Sequence, residues 1–162
     1  YNFELADLFR SNTNAGRINL SLAMTFYTKA ALIPIIGQPT IDLLGFAGGS
    51  TSDQGYIKTT GTLGVNWVLD RYNVNWTTRY IGSAGMSPFT VTPKVGDRYY
   101  PNVSARLNVY GSTSVVAGIS NILDSEPPFF ATGTSGTQAL DTIPGYYDVF
   151  GRSYYVGISA KF

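Results

Sequence analysis

The sequence predicts an all-β chain, an antiparallel transmembrane β-barrel fragment of about seven strands, organised as one unit over residues 1–162. Three observations lead there. Apolar and polar side chains alternate with period two in successive segments, the connections between those segments alternate between short and long, and the composition pairs few charges with many aromatics. Charged residues make up 13% of the chain and aromatics 14%, the former about half the share usual in soluble domains. Tyrosine leads the aromatics with 12 copies. Its apolar ring and wet hydroxyl suit the rims of a lipid-facing wall.

Each segment follows from its own pattern. At the start, Phe3 and Leu5 alternate with Asn2, Glu4 and Ala6. Residues 17–27 place Ile18, Leu20, Leu22, Met24 and Phe26 on one face and Asn19, Ser21, Ala23 and Thr25 on the other. That alternation runs for about ten residues, the length a tilted strand needs to cross hydrocarbon. Leu63, Val65, Trp67 and Leu69 oppose Thr62, Gly64 and Asn66; Val74, Trp76 and Tyr80 oppose Asn75, Thr77 and Arg79, with Thr78 a polar interruption on the apolar side. Val103, Ala105, Leu107 and Val109 oppose Asn102, Ser104, Arg106 and Asn108. Val115, Ala117 and Ile119 oppose Ser114, Gly118 and Ser120, although Val116 blurs that pattern. The final segment sets Tyr154, Val156, Ile158, Ala160 and Phe162 against Ser153, Tyr155, Gly157, Ser159 and Lys161.

Turns at 70–73 and 111–113 are tight and 7–16 is modest, whereas 33–58, 83–98 and 124–147 are long and rich in Gly, Pro, Ser and Thr. The long connections all fall at one end of the strands, as in outer-membrane barrels with short periplasmic turns and long extracellular loops. An odd strand count, with the first strand lacking a neighbour, predicts the C-terminal portion of a larger barrel.

Composition also excludes chemistry. Without cysteine or histidine, the segment has no thiolate, disulfide framework, imidazole base or customary nitrogen ligand, so no enzyme, cofactor or metal site is expected. A net charge of +1 without a basic cluster leaves no footprint for nucleic acid. The Gly-rich stretch 46–55 lacks the Gly-Lys-Ser/Thr ending of a phosphate cradle and is expected to be loop. Asp42, Asp53, Asp97, Asp124, Glu126, Asp141 and Asp148 lack calcium-loop spacing and are expected to be solvated.

Two stretches, GISNILDSEPPFF at 118–130 and YDVFGRSYYVGISAKF at 147–162, resemble the C-terminus of TonB-dependent outer-membrane receptors. Asn121, Leu123, Asp124, Pro127 and Pro128 match the first family motif, and Tyr147, Asp148, Gly151, Arg152, Tyr154, Gly157 and Phe162 match the second. Ser120 and Ile122 depart from the usual residues. The resemblance implies a barrel of twenty-two strands around an N-terminal plug, in the outer membrane of a Gram-negative bacterium. The plug, its TonB box and most of the barrel would lie outside this sequence. It also implies active uptake of a scarce nutrient such as a siderophore, cobalamin or oligosaccharide, with energy supplied by the TonB complex through the plug.

The same resemblance makes Tyr154, Val156, Ile158, Ala160 and Phe162 the signal read by the barrel-assembly machinery, on the face that later meets lipid. Trp67, Trp76, Tyr80 and Tyr154 fall on that face and are candidates for aromatic girdles where they lie near strand ends. Arg79, Arg106 and Lys161 face the lumen, where they meet the plug, water or a passing ligand. Tyr56, Phe89, Phe129 and Phe130 are candidate ligand contacts in loops. The rival readings are a passive porin-like channel, a barrel enzyme, which the missing histidine disfavours, and a soluble β-sandwich.

Overall fold

A computed structural model describes residues 2–4, 15–48, 55–86, 94–110, 112–129 and 142–160, and among them the chain is all-β without a helix. The strands are β1 (Asn2–Glu4), β2 (Arg17–Phe26), β3 (Ala31–Leu32), β4 (Ile41–Asp42), β5 (Thr59–Leu69), β6 (Tyr72–Ile81), β7 (Arg98–Tyr110), β8 (Thr113–Ser120) and β9 (Ser153–Ser159). Seven of them form one antiparallel sheet in the order β1-β2-β5-β6-β7-β8-β9. Each is the neighbour of the next in sequence, apart from the small β3-β4 pair, which stands alone. All seven sheet strands coincide with the period-two segments; β3 and β4, with only two residues each, carry no alternation to read.

Because residues directly opposite in an antiparallel pair point to the same side, the register defines the faces. Leu20, Val65, Trp76, Val103, Ile119 and Tyr154 form one transverse row across six strands. A parallel row two residues away runs Ile18, Trp67, Val74, Ala105, Ala117 and Val156. The opposite face carries Asn19, Asn66, Asn75, Ser104, Gly118 and Tyr155. A slip of one residue in any pairing would interleave these rows, so the apolar pattern and the register specify each other. Thr78, the polar interruption, accepts a 2.7 Å hydrogen bond from the Trp76 indole N–H on the same face.

The apolar face is uncovered by any other described element. Leu22 is 70% exposed and Val156 76%. The buried core lies elsewhere, at the long-connection end of the sheet, where Ala47, Ile57, Ile81, Ala84, Met86, Tyr100 and Tyr147 cluster. Backbone hydrogen bonds knit these connections together: Gly45 N–H donates to the Tyr56 carbonyl at 2.8 Å, Ala47 N–H to Gly85 at 2.8 Å and Gly48 N–H to Met86 at 2.9 Å. Segments expected to be loop therefore carry the packed interior, and each large apolar side chain buried there contributes roughly 1.5–3 kcal/mol.

At the other end, β5 and β6 are joined by Asp70 and Arg71, with Asp70 at φ 47°. Asp is among the few non-glycine residues that tolerate this left-handed region. The β7-β8 ladder shifts register between Asn108 and Tyr110, next to its own short turn.

Candidate functional site

The polar face and the knitted connections meet in a cleft of about 280 Å³. Its floor is laid by three adjacent strands: Thr25 of β2 stands opposite Thr60 of β5, and Thr62 opposite Arg79 of β6. Tyr146 lines it from the segment before β9. Arg79 stacks its guanidinium over the ring of Tyr100, with Cζ 5.1 Å from the centroid, and Tyr100 is only 2% exposed. Among the described residues Arg79 makes no ion pair.

Tyrosines gather beside the cleft. The Tyr27 and Tyr56 rings lie 5.4 Å apart, and the Tyr146 hydroxyl donates to the Gly55 carbonyl at 3.4 Å. Burial, reinforced by the neighbouring Tyr27 and Tyr56, raises the Tyr146 phenol above its ordinary value. Burial likewise pushes the Tyr147 phenol up to about 12. Both phenols are neutral donors at physiological pH.

The two family-like motifs, separated in sequence by a long connection, come together at the junction of β8 and β9. Asn121 is fully buried and adopts φ 51°, and its side chain accepts from Ser125 N–H at 2.9 Å and donates to the Ser125 carbonyl at 3.1 Å. Its backbone N–H donates to Asn102 Oδ1 at 2.8 Å. Asp124, at φ 52°, accepts the Arg152 backbone N–H at 2.8 Å and the guanidinium at 3.2 Å. Those two contacts, the backbone one foremost, hold its carboxyl below the usual carboxylate range. Gly151 stands between them at φ 69°. Three of the motif residues are thus needed for left-handed backbone, and Arg152 closes the base of the connection. Asp148 accepts the Phe150 N–H at 3.0 Å, Tyr147 and Pro128 are buried, Pro127 is half-buried and Leu123 is exposed.

A second clip went unread in the sequence. Asp97 accepts the Ser83 N–H at 2.8 Å and the Tyr80 hydroxyl at 3.3 Å, tying the base of the β6-β7 connection. Such a carboxylate looks like any solvated loop residue until its acceptor role is seen. Asp42 similarly accepts from Leu44 N–H at 2.9 Å. Among the described residues no group of carboxylates could hold a metal ion.

The remaining candidates scatter. Tyr154, Val156 and Ile158 are exposed on the apolar face of β9 and Ala160 is exposed just beyond it, while Lys161 and Phe162 lie outside the described residues. Trp67 donates its indole N–H to the Ala15 carbonyl at 2.9 Å near the short-turn end, and Tyr80 and Tyr99 pair their rings at 5.1 Å near the long-connection end. Arg106 is exposed on the polar face, in the row of Asn73 and Val116 and away from the cleft. Tyr56 belongs to the tyrosine group, Phe129 is exposed, and Phe89 and Phe130 lie outside the described residues. Thr25, Thr60 and Tyr146 were not candidates from sequence; the only signal was that Thr25 sits at a polar-phase position of its strand. Compared with known protein families, curated proteins and solved structures, the chain matches none.

Proposed function

We propose that this chain is the C-terminal barrel portion of a TonB-dependent receptor, part of an outer-membrane system that takes up a scarce nutrient in a Gram-negative bacterium. The observation that carries the reading is the pair of uninterrupted apolar rows across six strands, uncovered by any other described element. Water disfavours such a surface by roughly 25 cal/mol per Å², and a contiguous patch of this extent marks a lipid or partner contact. Lipid is the natural cover for a sheet whose aromatics flank the apolar band at both ends.

In this reading the apolar face meets outer-membrane lipid, and the barrel-assembly machinery reads β9 through Tyr154, Val156, Ile158, Ala160 and Phe162. The polar face lines a lumen shared with a plug, and the plug passes on the TonB complex's force. The nutrient is a siderophore, cobalamin or oligosaccharide. Support for the family comes from the meeting of the two motifs at the Asp124–Arg152 clip.

The test is envelope fractionation of cells expressing the full-length polypeptide, together with nutrient uptake in the presence and absence of TonB. Outer-membrane recovery and uptake that collapses without TonB are expected. TonB-independent conductance in a planar bilayer would instead indicate a passive porin-like channel, and recovery in the soluble fraction would remove the barrel reading altogether.

A further inference from the structure

We infer that the cleft between the polar face and Tyr146 binds an acidic sugar unit, with Arg79 taking its carboxylate. The inference rests on the uptake reading only in making that sugar the nutrient; the cleft's chemistry stands by itself. Arg79 is a cation without an ion-pair partner among the described residues. Tyr100 holds its Cζ 5.1 Å from the ring centroid, and a ring contact is no ion pair, so the planar fork of N–H donors can still grip a carboxylate through two parallel hydrogen bonds.

Beside that cation the lining mixes the hydroxyls of Thr25, Thr60 and Thr62 with the apolar surface of Ala23 and Ile81. Thr25, Thr60 and Thr62 each offer an oxygen that donates and accepts, which matches the ring hydroxyls of a sugar better than the apolar wall of a hydrophobic ligand. Among the described residues no carboxylate lines the cleft. Tyr146 lines the cleft with Tyr27 and Tyr56 close to it, and an aromatic ring suits the C–H side of a pyranose. A cleft of about 280 Å³ lies just under the range of roughly 300–1,000 Å³ that holds drug-sized ligands. It therefore suits one sugar ring rather than a macrocycle.

The test is calorimetric titration of the full-length polypeptide in detergent micelles with D-glucuronate, with D-glucose as its uncharged counterpart. Saturable glucuronate binding is expected, with glucose weaker by about tenfold or more because it lacks the carboxylate. Arg79→Gln removes that discrimination and brings glucuronate to the level of glucose; Arg79→Lys recovers part of it. Tyr146→Phe, which keeps the ring packed against the core, leaves both sugars bound. Equal affinity for the two sugars, an unchanged Arg79→Gln titration or no binding of either sugar overturns the inference. Binding to purified protein needs no energy coupling, so a failed uptake experiment with intact glucuronate binding would overturn the transport reading alone.

Discussion

Asn121 shows how much one side chain can hold. It is fully buried, sits at φ 51° and makes two side-chain hydrogen bonds to Ser125. Asn121→Ala strands the Ser125 groups and removes the polar side chain that lets asparagine tolerate left-handed backbone, for a loss of about 2–4 kcal/mol. Asn121→Gly relieves the backbone share, so a urea titration of the full-length protein in micelles should place it between wild type and Ala. Gly118 is a different case. Its strand partner Tyr155 lays its ring where a β-carbon would go, with Cε1 2.7 Å from that point. An aromatic covering a glycine in this way pins cross-strand register. Gly118→Ala must push aside the far end of that exposed ring and should cost under about 1 kcal/mol by the same titration.

At the scale of elements, the long connections behave as structure tied at its base. Asp97 closes one and Asp124 another. The Asp124 carboxyl is held below its ordinary value, chiefly by the Arg152 backbone N–H and then by the guanidinium. A lowered folded value means that the stabilisation is complete above the unfolded value, about 3.9, and disappears as pH falls through the folded one. Amide exchange at Arg152, corrected for intrinsic rate, should therefore accelerate when the protein is taken from pH 6 to below pH 4. Tyr147 reports on the same connection from the alkaline side. Its phenol is raised from 10.0 to about 12 by burial, so its contribution is whole below pH 10 and is lost between pH 10 and about 12. Tyr147→Phe should remove one ionisation from the alkaline end of the tyrosinate absorbance titration.

For the whole molecule, the question is what covers the apolar face. Val103 lies in the central apolar row and its neighbour Ser104 in the polar one. In lipid, Val103→Arg should cost about 2–4 kcal/mol while Ser104→Arg costs little. Were the apolar face bathed in water, Val103→Arg would be neutral or favourable. Folding yield into phospholipid vesicles, scored by protease resistance, separates the two outcomes.

The seven sheet strands, their faces and the ends at which short and long connections fall were legible in the amino-acid order, because period-two alternation is a local property that the pleat repeats faithfully. Leu20, Val65 and Trp76 were legible as one face before their register was known. The place of the core among the long connections emerges from packing alone, since Ile57, Ala84 and Tyr147 meet there without any periodic spacing. The same holds for the cleft and the clips. Thr25, Arg79 and Tyr146, or Asp124 and Arg152, come together through strand register and connection packing across wide sequence separations, and no local pattern encodes which distant residue a loop carboxylate or a lone arginine will face.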